Sequence, residues 1–319
     1  MAGKIAGCKY KDFRGKRAGA EMKPMTETLI AVQIHLYYTD LIPELISALK
    51  NIRHPFDLYV TTDTQEKADQ IRQRFDLELV PVTQVKKVQI EACGNQGRDV
   101  IPFLNQLRPV YGQYKYFCHL HTKKSKHSDI GDTWRKYLYD SLMGSPAVVD
   151  HVLQHLESDD SAGIIYPETF PPIIPFMNWG VNKDITEAFA ARIGVEILPF
   201  EEDGAEILLF PAGDMFWAKT EAVHQLLGYA FAETEIPPEE GQLDGTIMHA
   251  VERLWSYVAK HNGYCTVLMK TDILRDYQQH KTLFQRGKDW FKWHVVNKIL
   301  PKGSRRREFV KKLLRPFKK

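Results

Sequence analysis

The sequence predicts an α/β protein built on a largely parallel sheet, and three observations carry that prediction. Apolar, β-branched runs alternate with helically spaced runs between residues 29 and 122. The connections between them are a few residues long, as expected for strands joined by helical crossovers. The most polar motifs stand where the strands end, which is where open α/β sheets bind ligands.

The elements follow in order. LIAVQIHLYY (29–38) reads as a buried strand and ELISALKNI (44–52) as a helix. FDLYVTTD (56–63) is a second strand, and QEKADQIRQRF (65–75) is a helix with Thr64 as its N-cap. KVQIEAC (87–93) is a strand, VIPFLNQLRPVYG (100–112) a helix stopped by Gly112, and YKYFCHLHT (114–122) a fourth strand. The second half is less regular. WRKYLYDSLMG (134–144) and AVVDHVLQHLES (147–158) are helices, AGIIYP (162–167) is a short strand, and residues 168–183 form a Pro-rich loop. AEILLFPAGDMFWAK (205–219) contains a strand with a Pro-Ala-Gly break. LDGTIMHAVERLWSYVAKH (243–261) is a long amphipathic helix, and YCTVLMK (264–270) is a closing strand.

Composition narrows the class. Of 319 residues, 44% are hydrophobic and 26% charged, which excludes collagen-like and disordered chains. Cys8, Cys93, Cys118 and Cys265 never reach CxxC spacing, so they read as reduced thiols in a cytoplasmic protein. No apolar run is long enough to span a membrane, and the first residues lack the apolar core of a signal peptide. Charge is unevenly placed: residues 281–319 carry a net +12 and the remainder −9. Residues 1–25 read as a loose basic arm. Residues 286–319 read as a basic amphipathic helical tail suited to an anionic membrane surface. The acidic body lacks a basic face with interleaved aromatics, which excludes a nucleic-acid partner.

Neither GxxxxGK[ST] nor GxGxxG is present, so the usual phosphate loops are excluded. Asp63 ends the second strand, where a carboxylate can accept from a nucleobase or ribose or serve as a local cap. Asn95, Gly97, Arg98 and Asp99 follow the third strand; the glycine permits a tight turn and Arg98 offers a planar fork to phosphate or to a neighbouring carboxylate. His119 and His121 share one face of the fourth strand and could hold a metal, without an obvious third ligand. Lys123 and Lys124 after them could neutralise a departing diphosphate instead. Gly213, Asp214 and Trp217 combine a chain break, a carboxylate and an aromatic face, which suits a sugar or acceptor and equally a bulged core strand. Asp244, with Glu240 in reserve, stands before the long helix, where an ionised carboxylate can act as a general base or simply cap.

Taken together, GRDVIPFL, YFCHLHTKKS, WRKYLYDSLMGS, FPAGDMFWAK and GQLDGTIMHAVERLW resemble the rhamnan synthesis protein F family over about residues 28–272. The resemblance implies a GT-A-like, Rossmann-type nucleotide-sugar fold with a mixed central sheet over residues 26–285. A nucleotide-binding half (about 26–130) would precede an acceptor half (about 131–285). It implies a glycosyltransferase of bacterial cell-surface polysaccharide assembly, inverting, with a donor such as dTDP-L-rhamnose; the basic tail predicts attachment at the inner face of the cell membrane, where a lipid-linked or polysaccharide acceptor would lie. Asp63 then falls at the nucleobase position, Asn95 to Asp99 near the ribose or diphosphate, and Asp244 at the base position. The fourth strand ends in His119-Leu120-His121 where such folds carry Asp-x-Asp, which puts a Mn²⁺ or Mg²⁺ requirement in question and leaves no cofactor certain. The alternative is a non-catalytic nucleotide-sugar or glycan-binding subunit.

Overall fold

IAVQIH and FDLYVTT are apolar or β-branched at most positions, the composition of strands covered on both faces. They are parallel neighbours in the computed structural model, which describes residues 9–12, 25–122, 124, 130–198, 208–238, 244–270 and 306. The strands are β1 (Lys9–Asp12), β2 (Ile30–His35), β3 (Phe56–Thr62), β4 (Val85–Ala92), β5 (Tyr116–His121), β6 (Ala162–Pro167), β7 (Phe216–Lys219) and β8 (Cys265–Lys270). They form one sheet in the order β1-β8-β6-β7-β5-β2-β3-β4. β7 runs antiparallel to β5 and β6, and the other described pairs are parallel.

The helices are α1 (Ile42–Leu49), α2 (Gln65–Glu78), α3 (Val100–Leu107), α4 (Ile130–Met143), α5 (Pro146–Ser158), α6 (Lys183–Arg192), α7 (His224–Gly228) and α8 (Ile247–His261). Thr64 caps α2 as expected, its Oγ1 accepting from Lys67 N at 3.2 Å. Ser145 does the same for α5, with Pro146 in the first turn.

Strand alternation sorts the core into two layers. Ile30, Val32 and Ile34 of β2 pack with α1, α2, α4 and α5 on one face. Ala31 of β2 and Phe117 of β5 pack with α3 and α8 on the other. Helices α1 and α2 carry the chain outward from β2 to β4. α3 then brings it back across β2 to β5. The crossover direction therefore reverses between β2 and β5, and the carboxyl ends of those strands open a crevice.

Three differences from expectation have physical reasons. The first 25 residues are not wholly a loose arm: β1 extends the sheet by pairing with β8, Lys9 opposite Val267. Among the described residues, the strand foreseen within 205–219 is regular over β7 alone, because Gly213 and Asp214 both adopt left-handed backbone (φ +91° and +53°) that no ladder accommodates. α6 falls immediately after the foreseen loop, with only Thr186, Phe189 and Ala190 buried, a stripe too thin to read. The 286–319 tail lies outside the described residues, apart from Arg306.

Candidate functional site

On the face covered by α3 and α8, both central strands grow polar toward their carboxyl ends. β2 presents Ala31, Gln33 and His35 there, while β5 presents Phe117, His119 and His121. The strands are in register, Gln33 opposite His119 and His35 opposite His121. The sheet itself thus delivers a polar cluster to the mouth of the crevice.

A hydrogen-bond relay sets the chemistry of His119. The Gln106 amide donates to Val60 O at 3.1 Å, so its oxygen faces Gln33. Gln33 Nε2 donates to that oxygen at 3.2 Å and to Thr61 Oγ1 at 3.1 Å. Gln33 Oε1 therefore accepts, at 2.7 Å, the proton on His119 Nδ1. His119 Nε2 is left with a bare lone pair and no hydrogen-bond partner, in a fully buried ring stacked 4.0 Å from Phe103. Burial holds His119 neutral, its pKa pushed down to about 4 despite Asp99 beside it. His35, bonded at 3.0 Å to Thr61 Oγ1, is likewise pushed down to about 4 by burial.

Asp99 faces these rings, with its Oδ2 3.8 Å from His119 Nε2 and 3.5 Å from His121 Nε2. Burial opposes its charge, but His121, His119 and His35 outweigh that and hold the carboxyl well below the usual range. His121 Nε2 lies 2.6 Å from Gly213 O, so it carries a proton and donates it there. Gly213 N donates to Glu252 Oε1 at 2.9 Å. The break after Phe210 is thereby tied to β5 and to α8.

Arg98 closes the cluster. Its Nη1 donates to His249 Nε2 at 2.8 Å, and His249 Nδ1 pairs with Thr246 Oγ1 at 2.7 Å. Burial, then the Arg98 charge, lower the pKa of His249 and keep it the acceptor. Arg98 and Asp214 are the described non-glycine residues with positive φ, +57° and +53°. Such backbone costs of order 1–3 kcal/mol per residue and persists where the surroundings impose it. Both residues line a cavity of about 60 Å³, together with Asp99, His121, Gly213, His249 and Glu252. That volume admits a water or two, or the edge of a larger ligand.

The candidates named from sequence fall into three groups. Arg98, Asp99, His121, Gly213 and Asp214 converge on this cavity. Gly97 lies just behind it; its φ of +76° and a hypothetical Cβ only 2.2 Å from Ile101 Cγ1 demand glycine. Asp244 is adjacent: Arg253 Nη2 donates to its Oδ1 at 3.3 Å, Asn182 Nδ2 donates to the same oxygen, and Arg253 Nη1 donates to His249 O at 2.9 Å.

Others stand apart. Asn95 is exposed in the loop after β4. Asp63 holds Lys67 at 2.7 Å, and that ammonium also donates to Tyr37 O at 3.0 Å. Lys124 pairs with Asp40 at the surface. Trp217 corrects an expectation: it is fully buried in β7 and its Nε1 donates to Leu142 O at 3.2 Å, so its face cannot meet a sugar. His121 is corrected as a metal ligand through Nε2, since that nitrogen is a donor to Gly213 O. Lys123 and Glu240 lie outside the described residues.

Sequence reasoning missed Gln33, His35, Gln106, His249 and Glu252. Gln33 and His35 carried a signal, being polar residues at alternate positions of an otherwise apolar strand. His249 and Glu252 sit within a helix whose pattern reads only as amphipathic.

With this geometry in hand, comparisons place the chain among relatives. The family model described as rhamnan synthesis protein F matches residues 16–264. Two proteins of Xanthomonas campestris pv. campestris, from strains ATCC 33913 and B100, are each 31% identical to the chain over 237 residues. Both are described as uncharacterized protein WxcX, and the match covers 73% of this chain and 32% of theirs. The chain thus spans about a third of the length of these curated relatives.

Proposed function

This chain belongs to the rhamnan synthesis protein F family, and from that membership we propose that it is a glycosyltransferase of polysaccharide assembly. The proposed donor is a nucleoside diphosphate sugar, with dTDP-L-rhamnose the first candidate, and the proposed fold is GT-A-like. The observation that carries the reading is the cavity at the β2–β5 reversal, where Arg98 and Asp214 are held in strained backbone beside Asp99. A parallel half that ends in polar side chains, continued by a mixed half, supports a donor side and an acceptor side.

In this reading the Arg98 guanidinium binds the diphosphate and stabilises the charge that develops as it departs. His249 keeps the fork aimed, because a neutral imidazole accepts from Arg98 and a protonated one would repel it. A carboxylate at the acceptor side takes the proton of the attacking hydroxyl. Asp244 is the proposed base, held by Asn182 and Arg253. Glu252, in the cavity wall, is the competing carboxylate.

The acceptor is proposed to be lipid-linked or polymeric, met at the inner face of the membrane through the basic 286–319 segment. No helix among the described residues is long and apolar enough to cross a membrane.

The test is transfer or donor hydrolysis by the purified full-length chain with a panel of nucleotide sugars. Asp244→Asn should lower turnover ~10²–10⁴-fold with donor binding kept. If Glu252→Gln falls that far and Asp244→Asn does not, the base is Glu252. Saturable donor binding with no turnover on any acceptor would favour the non-catalytic binding subunit.

A further inference from the structure

Two carboxylates and a bare imidazole nitrogen meet at the base of the cavity. A ring nitrogen of His119, an Asp99 oxygen and an Asp214 oxygen all lie within 4.8 Å of one another, and Nε2 is the nitrogen 3.8 Å from Asp99 Oδ2. His119 is fully buried and Asp214 is 3% exposed. The relay through Gln33 and Gln106 fixes the Nδ1–H tautomer and aims the Nε2 lone pair at the carboxylates. A neutral imidazole nitrogen beside two carboxylates is a donor set that divalent transition-metal ions take. Metal-binding histidines have this architecture: the far nitrogen donates to a fixed oxygen acceptor, which sets the ring and raises its basicity.

We propose that His119 Nε2 and the carboxylates of Asp99 and Asp214 form a binding site for one divalent transition-metal ion. The three ligands come from the carboxyl end of β5, the N-cap of α3 and the turn before β7. They are scattered over more than a hundred residues of sequence, so no contiguous motif announces them. Two charges on the ligands match the two on the ion. Donors about 2.1 Å from a common ion stand about 3.0–3.5 Å apart at octahedral and tetrahedral angles, so side-chain shifts of about an ångström close the set. One imidazole with two carboxylates favours Mn²⁺, Fe²⁺ or Zn²⁺ over Mg²⁺ and Ca²⁺, which prefer oxygen alone. The cavity reaches Asp99 and Asp214, giving the ion an entry path and leaving positions for water or an anionic oxygen. The site goes beyond the transferase reading and does not require it.

The test is binding of Mn²⁺, Zn²⁺ and Mg²⁺ to the chelator-treated full-length chain, with no sugar donor present, so its failure is separable from failure of the transferase reading. We expect one equivalent of Mn²⁺ or Zn²⁺, a raised melting temperature, and weaker Mg²⁺ binding. Pulsed electron paramagnetic resonance of the Mn²⁺ form should show coupling to one imidazole nitrogen, absent in His119→Gln. Asp99→Asn and Asp214→Asn keep side-chain size, and each should weaken binding ~100-fold or more with the far-ultraviolet circular dichroism unchanged. No saturable binding by the folded chain, unchanged affinity in both folded Asn variants, or no imidazole coupling would overturn the site.

Discussion

The two faces of one pair of strands have opposite fates. Ile30, Val32 and Ile34 of β2, with Tyr116, Cys118 and Leu120 of β5, are all fully buried against helices α1, α4 and their neighbours. One position along, Gln33, His35, His119 and His121 are also buried, yet every one is polar. Burial alone therefore does not separate core from site. Hydrogen bonding does: the polar face is wired through Gln106, Thr61 and Gly213 O, and a buried polar group is tolerated when so paired. The apolar face contributes stability by area, and the polar face trades some of that stability for chemistry.

The sharpest way to break this contrast is to damage the apolar face alone. Leu120→Ala should lower the unfolding free energy by about 2–5 kcal/mol in urea titrations, and leave nucleotide binding per folded molecule unchanged. A matching loss of binding would mean that the two faces are not independent.

Acid should act on the polar face. His35 titrates near 4 in the fold and near 6.5 in the unfolded chain, so the unfolded chain takes up the proton first. Its contribution is complete above about pH 6.5 and erodes as pH falls toward 4, by up to ~3 kcal/mol. Urea midpoints at pH 7.5 and 4.5 should differ less in His35→Gln than in the parent chain. The smallest expected effect is a control on the apolar side: Thr64→Ala removes the α2 cap, costs ~1 kcal/mol in the same titration, and should leave nucleotide binding alone.

The first half of the fold was legible because each element there announces itself. β2, β3, β4 and β5 alternate with well-patterned helices, and Thr64 is an N-cap in sequence and in space. α6 and the β7 boundary were not, since a three-residue buried stripe and a left-handed Gly213–Asp214 turn leave no periodic trace. In the site, Arg98, Asp99 and His119 were placed at the strand ends, but Asp214 was not read as their neighbour. Asp99 and Asp214 are 115 positions apart, and only the β5–β7 pairing and the turn before β7 unite them. Trp217 misled because an aromatic beside a chain break suits a sugar face and a core strand alike. Its indole went to Leu142 O.

The central claim is that the diphosphate of a nucleotide donor binds at Arg98, with its edge in the cavity that Arg98 and Asp214 line. Calorimetric titration of the full-length chain with dTDP, alongside Arg98→Asn, tests it most directly; asparagine tolerates the left-handed backbone at this position and removes the charge. The account predicts saturable binding that weakens ~10–100-fold in the variant, the size of one or two charge-assisted hydrogen bonds. Equal affinity in the two proteins, or no saturable binding in either, would contradict it.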